Sequence, residues 1–305
     1  MQMTTSKSGE VTIYLAGEEP ATIDWGDGSA KVTKELPPYY PFARFSHQYT
    51  GTNERTIKIS GNNVTYLESR FNELMSLDVS KNTALIYLLC NFNQKISHLD
   101  ISKNTALFEL RCDDNRLSYL DVSQNTALSD LSCGSNMLFS LDVSNNTVLT
   151  SLGCSNNPLK DLDVSNNTIL TSLRCSNNQL KDLDVSNNTR LRDLYCQVNQ
   201  LSDLDLSANT VLALLLCNSN RLTSLDLSVN SALETVYCQN NRLQADALDV
   251  LFGSLHNKTI FGTLPGGGGT HPIPKTINVA NNPGTDSCTP GIAEENGWMV
   301  IVKTD

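Results

Sequence analysis

Eight cysteines stand at Cys90, Cys112, Cys133, Cys154, Cys175, Cys196, Cys217 and Cys238, separated by 22 residues once and by 21 residues six times. Leucines and asparagines keep the same phase. One unit reads L-x-x-L-x-C-x-x-N-x-L-x-x-L-D-V-S-x-N-T-x, as in Leu149, Leu152, Cys154, Asn157, Leu159, Leu162, Asp163, Val164, Ser165, Asn167 and Thr168. A fixed period of this length predicts a stack of coils. Leu-x-Cys alternates with period two, which predicts a short strand with Leu and Cys inward. Leu-Asp-Val-Ser also alternates, so its Leu and Val are expected inward from the opposite wall. One coil cannot make a core alone; parallel strands stacked about 4.8 Å apart make it continuous. The stretch before Cys90 keeps the phase through Val64, Leu67, Asn72, Leu74 and Leu77, with Ser69 in the cysteine slot, so nine coils are expected.

The unit resembles the leucine-rich repeat pattern LxxLxLxxNxL with Cys in place of the third Leu. Its LDVSxNT form is similar to repeats of bacterial surface and secreted proteins, especially those of gut Bacteroidetes. The resemblance covers residues 63–243. It implies an α/β-type repeat solenoid, right-handed and mostly parallel β with few helices, and leaves the ligand open.

The recurring polar columns have competing readings. The cysteine position is small, apolar and inward, which suits free buried thiols. A metal site would need convergent ligands, typically at C-x-x-C spacing, and none occurs. Disulfides between in-register neighbours would be strained, because the side chains run parallel. Cys288, out of register, is expected to be buried in the C-terminal cap. Two asparagine series, one from Asn93 to Asn241 and one from Asn82 to Asn230, read as ladders that satisfy backbone groups at the coil corners; polar ligand contact is the alternative. The N-N-T sequons at Asn145, Asn166 and Asn187 read as accidents of the repeat. Asp78, Asp100, Asp121, Asp142, Asp163, Asp184, Asp205 and Asp226 form an outward column, read as bonding local backbone, with a calcium ladder as the alternative.

Both ends depart from the repeat and must cap it. In residues 1–62, Val11–Leu15, Ala21–Trp25 and Arg55–Ser60 read as strands. Asp24-Trp25-Gly26-Asp27-Gly28 with His47-x-Tyr49 and Thr56-Ile57-Lys58-Ile59 resembles the PKD-type β-sandwich pattern, which implies a small β-sandwich-like N-terminal cap. Asp24 and Asp27 read as turn formers, with cation binding as the alternative. In residues 244–305, Leu248, Leu251, Phe252 and Leu255 predict a short amphipathic helix over Asp246–Leu255. Gly266–Gly269 reads as a flexible loop. Ile277, Val279 and Asn282 restart the coil pattern once, Thr289-Pro290 opens a second helix that ends at Gly297, and Trp298–Val302 reads as a closing strand.

Charge excludes some partners. Lys plus Arg number 22 against 32 Asp plus Glu, a net charge of −10, which argues against nucleic acid and anionic membranes. No apolar run is long enough to span a bilayer as a helix. Met1–Gly9 is polar and lacks a signal core, so either the protein is not exported or a leader is absent from this numbering. His47, His98, His256 and His271 are scattered, and no nucleophile elbow or phosphate loop occurs. The chain therefore reads as non-enzymatic, without cofactor or metal, and monomeric.

Outward strand positions are free to vary, so they carry the binding expectation. In the middle of the repeat they are Ser and Gly. Toward one end they are Tyr66, Tyr87, Leu89, Glu109 and Arg111. Toward the other they are Arg174, Asp193, Tyr195, Leu214, Leu216 and Tyr237. Exposed Tyr, Arg and apolar groups of this kind mark interaction sites. The family resemblance implies an extracellular or cell-surface recognition module, secreted or a lipoprotein in adhesion, that binds a protein or glycan partner. A spacer that holds another domain off the surface is the alternative, and coverage of the first group by the N-terminal cap is the competing structural reading.

Overall fold

The structure, a computed structural model, describes residues 1–263 and 270–303. The expected loop at Gly266–Gly269 lies outside the described residues. Two compact units emerge, Met1–Leu159 and Lys160–Asp305, and both are built from the same coil.

From the second coil to the ninth, a three-residue parallel strand buries its central residue, Leu or in the last case Val236, and the Cys that follows turns inward. Leu170, Leu173, Cys175, Leu180, Leu183 and Val185 of one coil are all buried. The Leu-Asp-Val-Ser segments beyond the first coil form no strand ladder, yet their Leu and Val are buried in the core. All eight in-phase cysteines are free and fully buried. Cys288 is only half-buried, a correction to its expected burial: it sits in a run of turns just ahead of the last helix. Its thiol bonds the Thr285 carbonyl at 3.3 Å.

The asparagines act as corner pins. Asn199 Nδ2 donates to the carbonyls of Cys175 and Cys196 at 3.0 and 3.1 Å, and its Oδ1 accepts from Leu180 N at 3.0 Å. Asn209, from the second series, donates to Val185 O and Asn188 O at 3.0 and 2.9 Å. The Asp column is exposed, and each carboxylate accepts a backbone N–H two residues on, as Asp184 does from Ser186 at 2.9 Å. The Ser186 hydroxyl, together with that backbone bond, holds the Asp184 carboxyl below its ordinary range.

Unit 1 opens with β1 (Gln2–Thr5), β2 (Gly9–Gly17), β3 (Ala21–Asp24), β4 (Val32–Lys34), β5 (Ala43–Tyr49) and β6 (Arg55–Ser60), followed by β7 (Val64–Glu68) and β8 (Leu74–Asp78) from the first coil. Coil strands β9 (Tyr87–Leu89), β10 (Glu109–Arg111), β11 (Asp130–Ser132) and β12 (Ser151–Gly153) follow. One sheet runs β4-β3-β6-β1-β8; the other runs β5-β2-β7-β9 and on through β12. The N-terminal segment thus adds strands to both walls of the first coil: β1 pairs antiparallel with β8, and β2 with β7. Strand β1 was not foreseen in the polar start, but Met3 and Thr5 are fully buried. The turn after β3 closes on its own carboxylates. Asp24 accepts from Gly26 N at 3.1 Å and Asp27 from Ser29 N at 3.0 Å. Gly26 is at φ +75°, where a Cβ would lie 2.3 Å from Thr56 O, so only glycine fits.

Unit 2 carries β13 (Ser172–Arg174), β14 (Asp193–Tyr195), β15 (Leu214–Leu216), β16 (Thr235–Tyr237), α1 (Ala245–Ser254), β17 (Ile260–Thr263), β18 (Thr270–Ile273), β19 (Lys275–Asn278), α2 (Gly291–Glu295) and β20 (Trp298–Ile301). Its parallel sheet runs β13-β14-β15-β16-β19-β20. The restart of the pattern is real: Ile277 pairs with Val236, and Asn282 Oδ1 accepts from Asn241 N at 3.1 Å. Helix α1 buries Leu248, Leu251 and Phe252. Lys275 is buried against Trp298 and donates to the carbonyls of His256 and Asn296 at 3.0 and 2.7 Å, which satisfies its charge where water is scarce.

Candidate functional site

Parallel register sets out the outward rows. In unit 1, Tyr66 stands beside Tyr87 and Glu68 beside Leu89; Tyr87 stands beside Glu109 and Leu89 beside Arg111. The five expected residues of this group are therefore brought together. They are not all open, however. Tyr66 and Leu89 are each only 8% exposed and pack with Ala16. Strand β2 places Ala16 opposite Tyr66, and the loop between β4 and β5 lays the Phe42 ring on Tyr66, with centroids 3.9 Å apart and planes at 23°. The exposure expected at Tyr66 and Leu89 is thus corrected: the N-terminal segment roofs them, while Tyr87 and Glu109 stay half-buried and Arg111 exposed.

What the roof leaves is a cleft of about 510 Å³ between the loop and the faces of β7, β9 and β10. Its loop wall is Pro38, Tyr39, Tyr40 and Phe42. Tyr39 and Tyr40 are 79% and 83% exposed; Tyr40 meets Phe42 edge-on at 5.8 Å. Sequence reasoning missed these residues. The signal was present in Pro37-Pro38-Tyr39-Tyr40-Pro41-Phe42, three aromatics in a proline-stiffened stretch between two strands.

The polar wall is paired internally. Arg70 Nε donates to Glu68 Oε1 at 2.9 Å, the Tyr66 hydroxyl donates to Glu68 Oε2 at 2.5 Å, and Arg111 Nε donates to Glu109 Oε1 at 2.5 Å. Burial, followed by the Glu68 carboxylate, raises the Tyr66 phenol well above its ordinary value, so it remains a donor at neutral pH.

The second group gathers in unit 2. Arg174, Tyr195, Leu216 and Tyr237 occupy one row across β13 to β16, with Asp193 and Leu214 in the neighbouring row. The Arg174 guanidinium lies 5.1 Å from the Tyr195 ring centre, a cation–π contact. All except exposed Arg174 are half-buried, so the row forms a continuous Arg-aromatic-aliphatic strip.

His47 and His256 are both hydrogen-bonded within the fold. His47 Nε2 lies 2.7 Å from Asp27 Oδ2 and its ring stacks on Trp25. Bonds from Ser29, then from His47, hold the Asp27 carboxyl well below the carboxylate range. His256 bonds the Leu233 carbonyl at 2.8 Å. No cluster of three or more metal-ligating side chains occurs among the described residues, and no helix among them is long and apolar enough to cross a membrane.

No protein-family profile and no curated protein matches the sequence. Solved structures do. The functional domain of InlJ from Listeria monocytogenes, which includes a cysteine ladder, is 28% identical, with a TM-score of 0.58 over 83% of this chain and 56% of that one. The leucine-rich effector YopM from Yersinia pestis is 27% identical, with a TM-score of 0.50 over 59% of this chain and 50% of that one. The internalin InlF from Listeria monocytogenes is 20% identical, with a TM-score of 0.51 over 79% of this chain and 87% of that one. The chain spans about half the length of the first two. The fold is that of a leucine-rich repeat solenoid, mostly parallel β with two helices among the described residues, and these neighbours are bacterial.

Proposed function

We propose that the chain is a non-catalytic recognition module, monomeric and displayed on or secreted from a bacterial cell, that engages a macromolecular partner through its strand faces. The observation that carries this reading is the contrast between columns. Inward positions repeat coil after coil as Leu, Cys and Asn, whereas the outward rows collect Tyr87, Glu109 and Arg111 in one unit and Arg174, Tyr195, Leu216 and Tyr237 in the other. Outside the part roofed by the N-terminal segment, outward positions answer to no repeating packing demand, so large aromatic and charged groups there serve contact. The internalin neighbours support an interaction role, and a PKD-like cap over residues 1–62, repeats over 63–243 and a C-terminal cap over 244–305 complete the layout. Ser132, Ser151 and Gly153 favour a second reading, a spacer with a bland middle.

The test is a screen of the purified chain on glycan and protein-ectodomain arrays, repeated with Tyr195→Ser/Tyr237→Ser and with Tyr87→Ser. Loss of a specific signal by about tenfold or more in either variant supports recognition. Signals that survive both variants unchanged remove the strand faces as the contact surface and leave the spacer reading.

A further inference from the structure

The cleft in unit 1 differs from an ordinary aromatic groove in that its charges are already spent on one another. Glu68 is held by Arg70 and by the Tyr66 hydroxyl, and Glu109 by Arg111. Two carboxylates against two guanidiniums leave the walls neutral. A charged ligand entering here would shed water without meeting an uncompensated opposite charge, which is costly.

The walls are nevertheless rich in hydrogen-bonding capacity. The Arg111 bond uses Nε alone, and its two Nη groups, like Glu109 Oε2 and the Tyr87 hydroxyl, have no hydrogen-bond partner among the described residues. A guanidinium is donor-only and a carboxylate acceptor-only. A ligand that satisfies both must itself donate and accept along one edge, as neighbouring hydroxyls do. The loop side of the cleft carries Tyr39 and Tyr40, both exposed to water, and Phe42, whose ring lies on Tyr66. Aromatic faces carry partial negative charge and attract C–H groups with partial positive charge. Tyrosine also loses little rotamer entropy on binding.

We propose that this cleft, between the loop at 38–42 and strands β7, β9 and β10, is a carbohydrate site that takes an uncharged sugar chain. The proposal rests on the strand face being a recognition surface and names the ligand class of one part of it. A pyranose ring has C–H faces and a hydroxyl rim, and so matches both walls at once. The volume of about 510 Å³ falls within the range of about 300–1,000 Å³ usual for small-ligand sites. A proline-rich peptide also docks on aromatic grooves, but proline has no N–H, and such a segment would leave Glu109 facing acceptors.

The experiment is isothermal titration of the intact chain with neutral oligosaccharides of β-glucan, xylan, mannan and chitin, alongside an oligogalacturonate and a proline-rich peptide. Tyr40→Ala and Arg111→Ala probe the two walls, and Tyr119→Ser, at a 63% exposed position outside the cleft lining, is the control. Tyr40 is 83% exposed, so its truncation leaves the core intact; circular dichroism checks that Arg111→Ala keeps the fold. At least one neutral oligosaccharide should bind, weaken about tenfold or more in both cleft variants, and be unchanged by Tyr119→Ser. Absence of binding to all four at about 10 mM, or binding indifferent to Tyr40→Ala, overturns the proposal. Binding of the acidic oligosaccharide or the peptide alone, lost in the cleft variants, also overturns the sugar assignment while leaving recognition by the strand face standing.

Discussion

At Val198 a β-branched side chain occupies the corner where each coil turns through the left-handed region. Its φ is +57°, as it is at Asn177, Ser219 and Asn240 in the same unit. Asparagine tolerates this conformation, and a β-branched residue is a true outlier there; the cost is about 1–2 kcal/mol. Val198 is 43% exposed, so little burial offsets it. Val198→Asn should therefore stabilise the chain by about 1 kcal/mol, and Asn240→Val should cost about as much. Urea unfolding of both variants measures this; a Val198→Asn variant less stable than its parent would mean that the side chain's contacts outweigh the strain. Phe71 and Phe92 occupy the same kind of corner in unit 1 at φ +58° and +59°, and their exposed rings stack 4.6 Å apart. Nothing in the 21-residue phase announces these corners as left-handed, because the sequence at that position ranges over Phe, Asp, Ser, Asn and Val. The asparagine three residues after each cysteine was readable because its job never changes.

The coil, as an element, is held by a buried thiol that has no reason to ionise. Burial pushes Cys90, Cys154, Cys196 and Cys238 up to about 12. An unfolded thiol titrates near about 8.5. Between these values the folded chain keeps protons that the unfolded chain releases, so stability is fully present below about pH 8 and falls as pH rises toward about 12. Each such thiol contributes a slope of up to about 1.4 kcal/mol per pH unit, and the four act together. Guanidinium unfolding across pH 7 to 11 should show a midpoint that collapses above about pH 9; a Cys196→Ala/Cys238→Ala double variant should be less stable at pH 7 but lose less on raising the pH. A flat alkaline limb in the parent would place the thiols in contact with water. At neutral pH, iodoacetamide should modify half-buried Cys288 first, as read by mass spectrometry, with the other eight following only on unfolding. This element was readable because eight copies repeat one short piece of physics. Cys288, present once and out of phase, was not.

At the scale of the molecule, what escaped the sequence is what does not repeat. The cleft depends on Phe42 lying on Tyr66 and on Ala16 standing opposite it, contacts between segments that share no period with the coils. Each outward residue of the repeats could be assigned to its row, but which rows the N-terminal segment roofs follows from the pairing of β2 with β7, and no local pattern encodes that pairing. The C-terminal end was easier, since Ile277, Val279 and Asn282 imitate a coil and Leu248, Leu251 and Phe252 keep helical spacing. Strand β16 pairs with β19, and Asn282 satisfies the backbone N–H groups of Asn241 and Leu243 at 3.1 and 3.2 Å. Cutting the chain after Arg242 removes these partners, together with Leu248, Leu251, Phe252 and Trp298, and bares Val236 and Cys238 beside an unpaired strand edge. An open parallel edge over an apolar core is a template for association. The 1–242 fragment should elute as multimers or precipitate on gel filtration, whereas Lys275→Ala, which leaves strand pairing intact but takes from the Asn296 carbonyl its only side-chain donor among the described residues while Trp298 Nε1 still holds that of His256, should elute as the parent chain does with a lowered melting temperature. A truncated chain that runs as a monomer at the parent's melting temperature would show that the last repeat closes the core without residues 243–305.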